Sequence, residues 1–279
     1  MVTSSVPRQN LEQLGKYAMK NNDRTLAKLQ FALRRIDGIG HAYVPDSNGP
    51  FAAIIVLHGS EGGWSGWSDL MCLIFAMHGF LAVPYRYSRG GNAWNAGDII
   101  DVDVYETCEV INSVRRCELC TGWVGLYGAS RGGEHALLAG WLSARDSVSG
   151  IPDAIAVHSP ADVVCGAFRG ACWRDNGDPG WRSWDPSERA WAWMGSSDAL
   201  LPTTPIEIEI YTGPLFISHG ENDEVWSVEM SHRLAARVIK AGGAVELKIY
   251  SKQKHKLDEE AFQEHCLDVV LFFGKHSIR

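Results

Sequence analysis

Two hydrophobic patterns alternate along this chain: short continuous apolar runs, and longer stretches with an apolar residue every three or four positions. The first pattern is typical of strands buried on both faces and the second of amphipathic helices. The apolar runs are AAIIVLHG from residue 52, FLAVPYR from 80, WVGLY from 123, DAIAVHSP from 153, PLFISHG from 214 and AVELKIY from 244. The helical patterns cover residues 68–79, 98–116, 134–142, 229–241 and 259–273. This alternation predicts an α/β fold with a doubly wound, mostly parallel sheet.

The beginning of the chain has a different pattern. Residues 1–25 are polar and weakly patterned, which indicates an N-terminal arm or a docking helix. Two short runs on either side of Asp37-Gly38 then predict an antiparallel hairpin that starts near residue 26. We therefore expect a single domain over residues 26–279, in which the parallel strands follow the hairpin.

A segment of about residues 165–206 interrupts the alternation, because it has no clear periodicity. It carries Trp173, Trp181, Trp184, Trp191 and Trp193 among Arg169, Arg174, Arg182 and Arg189. Long irregular segments are uncommon inside compact domains unless they carry a function, such as covering a site. We expect a Trp-rich cap over the active site. An excursion packed by its own tryptophans would give the same pattern.

The sequence WVGLYGASRGG, residues 123–133, carries the clearest chemical signal. It places Gly128, Ser130 and Gly132 between a predicted strand and a predicted helix. A serine on a sharp, strained turn needs neighbours without a Cβ two positions away on either side, so that strand and helix can approach closely. Its hydroxyl then stands near the free amides of the helix, where an oxyanion is favoured. We interpret Ser130 as a nucleophile.

The strand that begins at residue 52 ends in the glycine-rich turn HGSEGG. Ligands of open α/β sheets bind at the carboxyl ends of the strands, so this turn should face Ser130. We expect the backbone amides of Ser60 and Arg131 to hold an oxyanion there. His58 also lies in the turn, but it precedes the serine, which is the wrong order for the base of this fold. We interpret His58 as a structural residue that orients the turn.

Two later strands end next to residues that would complete a triad. PLFISHG is followed by three acids within four residues, and the spacing from Gly220 favours Asp223 as the triad acid. AVELKIY is followed by a loop with a single histidine, His255. Histidine is the usual general base near neutral pH, and a carboxylate on its far nitrogen selects the tautomer. The order Ser130, Asp223, His255 is the order that this architecture requires.

These motifs resemble the α/β hydrolase superfamily, and within it the dienelactone hydrolase-like branch. The segments that carry the resemblance are HGSEGG, GFLAVPYRY, GLYGASRGGEHALLA, AIAVHSPAD and PIEIEIYTGPLFISHGENDEVWSVEMSHRL. The likeness covers most of residues 43–275 and is strongest to the C-terminal domain of acyl-CoA thioester hydrolases and bile acid acyltransferases. It implies an α/β-hydrolase fold and a Ser-Asp-His triad. The acyltransferases and dienelactone hydrolases have cysteine where this chain has Ser130, which favours hydrolysis as the outcome.

Bulk composition narrows the expected partners. The formal net charge of -7 provides no general basic field, so nucleic acid is not expected to bind. No apolar run reaches the roughly 18 residues of a membrane span, and MVTSSVPRQN lacks the apolar core of a signal peptide, so we expect a cytoplasmic protein. The 7 cysteines are scattered and odd in number, which argues against a disulfide framework. The sequence leaves the oligomeric state open, with a homodimer among the allowed states.

Our hypothesis is a serine hydrolase that cleaves a carboxylic ester or thioester through an acyl-enzyme, with no metal or organic cofactor. Glu61, Trp64, Tyr85 and Trp226 are expected to contact the small-molecule substrate. Three alternatives stay open at this point: an acyl-CoA thioesterase, a peptidase of the prolyl oligopeptidase type, and a ligand-sensing protein that has the hydrolase fold without its chemistry.

Overall fold

The computed structural model of the chain describes residues 31–88, 97–169 and 184–277. The predicted N-terminal arm, residues 1–25, lies outside the described residues. The strands are β1 (Phe31–Ile36), β2 (Gly40–Pro45), β3 (Phe51–Leu57), β4 (Leu81–Tyr85), β5 (Val102–Asp103), β6 (Cys120–Ala129), β7 (Ala154–His158), β8 (Gly166–Ala167), β9 (Asp185–Arg189), β10 (Trp191–Ala192), β11 (Leu215–Gly220) and β12 (Val245–Tyr250). The α-helices are α1 (Trp67–Met77), α2 (Tyr105–Arg115), α3 (Arg131–Arg145), α4 (Val228–Lys240) and α5 (Glu259–Ser277).

Eight of the described strands form one sheet, in the order β1-β2-β4-β3-β6-β7-β11-β12. The strands from β4 to β12 in this order pair in parallel, and β1 and β2 add an antiparallel edge. Gly38 lies in the turn between β1 and β2 with φ 76°, a left-handed conformation that suits glycine. The structure therefore confirms the α/β class and the mostly parallel sheet, and it confirms an antiparallel hairpin around Asp37-Gly38.

Strand β3 illustrates how helices cover both faces of this sheet. Ile54 and Val56 belong to the core that includes residues of α1 and α5, whereas Ile55 and Leu57 belong to the core that includes residues of α2 and α3. All four side chains are fully buried. Successive side chains of a strand point to opposite faces, so a strand covered on both faces reads as an unbroken apolar run.

The helix predicted over residues 98–116 is correct only in its second part, because α2 begins at Tyr105. Residues before it form β5, which pairs in parallel with β10. The amide of Val102 donates a hydrogen bond of 2.8 Å to the carbonyl oxygen of Ala190. The backbone of this stretch is thus paired with a segment far away in the chain, and hydrophobic periodicity cannot detect that pairing.

The described part of the Trp-rich segment, residues 165–206, is anchored to α3. Trp191 is fully buried and Trp193 nearly so. Their indole N–H groups donate to the carboxylates of Glu134 and Asp146, at the start and the end of α3, each at 2.7 Å. Residues 170–183 lie outside the described residues, and the role of the segment as a cap stays a prediction.

No helix in the described ranges has both the length and the apolar character needed to cross a membrane. Six cysteines lie in the described part of the chain, and all of them are free thiols. Cys172 lies outside it.

Phe273 on α5 provides a test of this core. Its fully buried ring packs edge-on against Phe75 and Trp123, with centroids 5.9 Å away in both cases. Replacing Phe273 with alanine should lower the free energy of unfolding by about 3–5 kcal/mol, measured by urea denaturation, because it leaves a cavity. Leu271→Ala on the same helix is the matched control: this side chain is 68% exposed, so its change should stay within about 0.5 kcal/mol. Equal losses in the two variants would contradict the packing of α5 described above.

Candidate active site

Ser130 lies on the turn between β6 and α3, with φ 53° and ψ -122°. Residues other than glycine rarely adopt this conformation, and such strain is often found at functional sites. The flanking glycines make the turn possible. A Cβ on Gly128 would overlap the carbonyl group of Gly132, and a Cβ on Gly132 would overlap the carbonyl oxygens of Leu57 and His58. The Gly-x-Ser-x-Gly spacing therefore allows α3 to approach the ends of β6 and β3.

The two amides assigned to an oxyanion site, those of Ser60 and Arg131, have no hydrogen-bond partner in the described part of the chain. The amide of Arg131 is the first of α3, where the positive end of the helix dipole adds to its effect. The turn that carries Ser60 is braced by Glu61, whose Oε1 accepts a hydrogen bond of 2.8 Å from the amide of Gly59. A Cβ built on Gly59 would lie 3.4 Å from the Cβ of Ser130, so the turn and the serine are neighbours.

His58 stabilises the same turn through ring stacking and hydrogen bonds. Its ring stacks on Tyr87, with centroids 3.9 Å apart. The amide of Ser88 donates to Nε2 at 3.3 Å, so Nδ1 carries the hydrogen and donates to the carbonyl oxygen of Gly59 at 2.7 Å. Burial lowers the pKa of His58 to about 4, although the bond to Gly59 works in the opposite direction. These contacts are those of a neutral structural histidine, as its position in the sequence indicated.

Asp223 and His255 form a close pair, with 2.7 Å between Oδ2 and Nδ1. The Asp223 side chain is fully buried, whereas 21% of the His255 side chain is exposed. The other carboxylate oxygen, Oδ1, accepts hydrogen bonds from the amides of Val225 and Trp226. Burial alone would raise the pKa of Asp223, but hydrogen bonds from His219 and His255 outweigh it and keep this pKa well below its usual range. Because an ionised carboxylate only accepts, Nδ1 of His255 carries a hydrogen, and Nε2 of the neutral ring is left as an acceptor.

Trp226 links this pair to Ser130. Its indole Nε1 lies 3.4 Å from Ser130 Oγ, and its backbone amide donates to Asp223 at 2.9 Å. Within the described residues, Ser130 and His255 form no hydrogen bond with each other. Catalytic hydrogen bonds of this kind are often long without substrate and shorten in the complex.

Two of the four predicted substrate residues lie next to the serine. Trp226 is only 5% exposed, and its indole contacts Ser130. Glu61 is half-buried in the oxyanion turn, where burial raises its pKa against the opposing effects of the Gly59 amide and the nearby His255. The structure thus places Trp226 against Ser130 and Glu61 in the turn beside it.

The other two predicted substrate residues have different surroundings. Trp64 is 53% exposed, and the guanidinium of Arg86 lies 4.3 Å from the centre of its ring. Tyr85 lies near α2, where burial and then acidic side chains of that helix raise its pKa. No hydrogen bond or ring contact joins Trp64 or Tyr85 to Ser130 within the described residues.

A buried ion pair in the first turn of α3 was not anticipated from the sequence. Arg131 Nη1 lies 3.0 Å from Glu134 Oε2, and each side chain is 1% exposed. Arg131 Nη2 also donates to the carbonyl oxygen of Gly166, and Glu134 Oε1 accepts from the Cys165 amide and the Trp191 indole. The helix that follows the nucleophile is thereby connected to the Trp-rich segment. The signal in the sequence was an arginine and a glutamate three positions apart in a helical pattern.

A buried polar cluster lies beside the elbow, the turn between β6 and α3 that carries Ser130, and it is located between the sheet and α5. The carbonyl oxygen of His158 accepts a hydrogen bond of 2.9 Å from the amide of Ser130. The His158 ring is 2.9 Å from Ser218 Oγ, and Ser218 Oγ is 3.3 Å from the ring of His265. The far nitrogen of His265 lies 2.7 Å from the Tyr127 hydroxyl. Tyr127, His158 and Ser218 stand inside otherwise apolar strand runs, and His265 lies on α5, so the hydrophobic pattern did not separate them from core residues.

The whole structure is similar to solved esterase structures. A propionate-bound esterase 2 of the Planctomycetes species Thermogutta terrifontis matches with a TM-score of 0.59 and 17% identity, over 90% of this chain and 95% of that chain. The same esterase phosphonylated by cyclosarin has a TM-score of 0.58 and 17% identity, with the same coverage of both chains. A truncated carbohydrate esterase from gut microbiota has a TM-score of 0.57 and 15% identity, over 86% of this chain and 90% of that chain.

No protein-family model matches the chain, and neither does any curated protein. The structural similarity, at these low identities, is a similarity of fold. The fold is that of the α/β hydrolases, as the sequence motifs indicated. The finer likeness to the dienelactone hydrolase branch and to acyl-CoA thioester hydrolases stays a prediction.

Gly132 provides a direct test of the elbow. Gly132→Ala should lower the free energy of unfolding by about 1–3 kcal/mol, because its Cβ would meet two backbone carbonyl groups that cannot move independently. The matched control is Gly274→Ala in α5, where an added Cβ meets nothing within 4 Å. That control should be neutral or stabilising by up to about 1 kcal/mol, since alanine favours helix more than glycine does. Both values come from urea denaturation, and a neutral Gly132→Ala would contradict the close approach.

His265 predicts a specific pH dependence of stability. Burial lowers its pKa from 6.5 to about 3, so the unfolded chain takes up a proton below pH 6.5 that the folded chain does not. The stability that neutral His265 provides is therefore present above pH 6.5 and is lost as the pH falls towards 3. The stability difference between the wild type and His265→Phe should narrow by about 2 kcal/mol between pH 7 and pH 5. A difference that is constant over this range would show that His265 titrates normally in the folded protein.

Proposed function

We propose that this protein is a serine hydrolase that cleaves a carboxylic ester of a small molecule through an acyl-enzyme. The observation that carries the proposal is the buried Asp223 carboxylate 2.7 Å from Nδ1 of His255, beside a strained elbow serine. The unpartnered amides of Ser60 and Arg131 support it, because they are the kind of donors that a tetrahedral oxyanion requires.

In the proposed mechanism, Ser130 Oγ attacks the ester carbonyl carbon while Nε2 of His255 removes its proton. Asp223 stabilises the imidazolium, and the amides of Ser60 and Arg131 hold the oxyanion. The tetrahedral intermediate collapses to the acyl-enzyme, and the leaving alcohol receives the proton from His255. A water molecule then attacks the acyl-enzyme by the same steps and regenerates Ser130.

The structural neighbours support an ester as the substrate. They include an esterase with bound propionate and the same esterase phosphonylated by cyclosarin. By analogy we propose a substrate with a small acyl group, and we expect an electrophilic phosphonate to react with Ser130. Trp226 and Glu61 would then line the wall of the acyl or alcohol site, because they lie beside the serine. The segment of residues 165–206 would cover it as a cap.

The two arginines in the described part of the Trp-rich segment favour an ester without phosphate groups over an acyl-CoA. A CoA ester needs unpaired cations for its phosphates. In the described part of the Trp-rich segment, Arg169 pairs with Glu188 at 2.6 Å and Arg189 with Asp198 at 3.3 Å. The acyl-CoA thioesterase is therefore the second candidate, and it enters the test below as a competing substrate class.

Ser130→Ala should retain the fold and lower kcat/KM for p-nitrophenyl acetate or butyrate by at least about 1,000-fold. The matched control is Ser143→Ala on the same helix, whose hydroxyl, within the described residues, forms a hydrogen bond only to the carbonyl oxygen of Gly140. That variant should keep its activity within about twofold. Near-normal ester turnover by folded Ser130→Ala would rule out the proposed nucleophile.

Labelling with a fluorophosphonate separates the remaining alternatives. Intact mass and peptide mapping should place the label on Ser130, and competition by short esters should protect it. Protection by acyl-CoA alone would establish the thioesterase instead. A folded protein that remains unlabelled would favour the ligand-sensing alternative.

A further inference from the structure

His219, the fifth residue of β11, is fully buried next to the proposed triad and has partners on both ring nitrogens. Its Nε2 lies 3.1 Å from Oδ2 of Asp223 and 2.9 Å from the carbonyl oxygen of Trp226. Its Nδ1 lies 2.7 Å from the hydroxyl of Ser231, a buried residue in the first turn of α4. The ring thus joins α4 to the loop that carries Asp223.

The partners determine which nitrogen of His219 carries the hydrogen. An ionised carboxylate and a carbonyl oxygen can only accept hydrogen bonds, so Nε2 carries the hydrogen, donates it to the carbonyl oxygen of Trp226 and faces Oδ2 of Asp223 at 3.1 Å. The neutral ring then accepts at Nδ1, and the Ser231 hydroxyl supplies that hydrogen. Ser231 therefore donates to His219, whose Nε2–H group faces the Asp223 carboxylate from one side, and His255 donates to the carboxylate from the other side.

Asp223 consequently has donors on every side. Oδ2 accepts the hydrogen of His255 Nδ1, at 2.7 Å, and the Nε2–H group of His219 lies 3.1 Å from the same oxygen. Oδ1 receives the amides of Val225, at 2.8 Å, and of Trp226, at 2.9 Å. A carboxylate held in this way cannot rotate without breaking at least one of its hydrogen bonds. Hydrogen bonds to a charged carboxylate are stronger than those between neutral groups.

We propose that His219 is a positioning residue, which orients the triad acid and, together with His255, stabilises the negative charge of that acid. The inference rests on the proposed function, because it assigns a role relative to the acid of that triad. Since the hydrogen bond from His219 disperses the charge on Oδ2, its removal concentrates that charge on the His255 side. The protonated form of His255 is then favoured, and the base becomes available only at higher pH.

Other charged groups near His255 stay the same in the variants of interest. Oε2 of Glu224 accepts from the backbone amide of His255 at 3.3 Å, and the Glu61 carboxylate and the His158 ring lie close enough to interact with its charge. A shift that appears only when His219 is changed can therefore be assigned to the His219–Asp223 contact.

The experiment measures the rate of fluorophosphonate labelling at Ser130 against pH, by intact mass, in the wild type and in four variants. His219→Phe removes the donor and fills its volume. His219→Gln places an amide N–H near the position of Nε2. Ser231→Ala removes the partner that fixes the His219 ring. His135→Phe is the matched control, because it removes another fully buried imidazole that does not contact Asp223.

We expect the plateau rate of His219→Phe to fall about tenfold, the size of one lost hydrogen bond to a charged group. The pH of half-maximal rate should rise by about half a unit or more. His219→Gln should recover most of both effects, Ser231→Ala should show a smaller shift in the same direction, and His135→Phe should keep the wild-type profile.

The inference is overturned if folded His219→Phe keeps the wild-type rate and profile, or if His219→Gln is no better than His219→Phe. If His219→Phe does not fold, a wild-type profile in folded Ser231→Ala overturns the inference as well, because the proposal requires a shift in that variant. Failure of the wild type to label at Ser130 is a separate result, which overturns the proposed function itself.

Discussion

The close approach of α3 to the carboxyl ends of β6 and β3 is the contact on which the candidate site depends. It exists because Gly128 and Gly132 have no Cβ to meet the backbone carbonyl groups opposite them. The same approach gives Ser130 its positive φ and brings the amide of Arg131 towards the turn that carries Ser60. The proposed nucleophile and the proposed oxyanion donors are thus placed by backbone packing.

The second constraint is electrostatic. A fully buried carboxylate is costly unless donors satisfy it, and Asp223 has two imidazole N–H groups and two backbone amides around it. These donors come from β11, from the loop after it and from the loop after β12. The ends of both strands must therefore be in place before the carboxylate can be buried, which couples the geometry of His255 to the formation of the sheet.

The Trp-rich segment follows a different principle from the rest of the chain. Its described part is attached through side-chain bonds to the buried Arg131–Glu134 pair and through indole N–H groups, rather than by an amphipathic face. Buried ion pairs often add little net stability, because the energy of desolvation offsets the attraction. Here the contacts of the pair connect the segment to α3, the helix that follows Ser130. This also explains why the segment showed no hydrophobic periodicity.

The sequence alone determined the features that follow from local steric constraints and from the periodicity of apolar residues along the chain. It determined the parallel sheet, because buried strands and amphipathic helices differ in spacing, and the elbow, because only glycine permits that turn. The order of Ser130, Asp223 and His255 was also readable, and the structure brings Asp223 to the ring of His255, while Glu221 binds the backbone of Lys252 instead. These inferences needed only short stretches of chain at the ends of strands.

Tertiary structure alone decided the contacts between residues that are distant in sequence. The pairing of β5 with β10 shortened the predicted helix, the indole of Trp226 reached Ser130, and Tyr85 came to lie near α2. Although His219 is only four residues from Asp223, its ring is oriented by Ser231 on the next helix. The physical reason is the same in each case: a hydrogen bond between two side chains depends on how whole elements pack, and no local pattern of hydrophobic and polar residues records that packing.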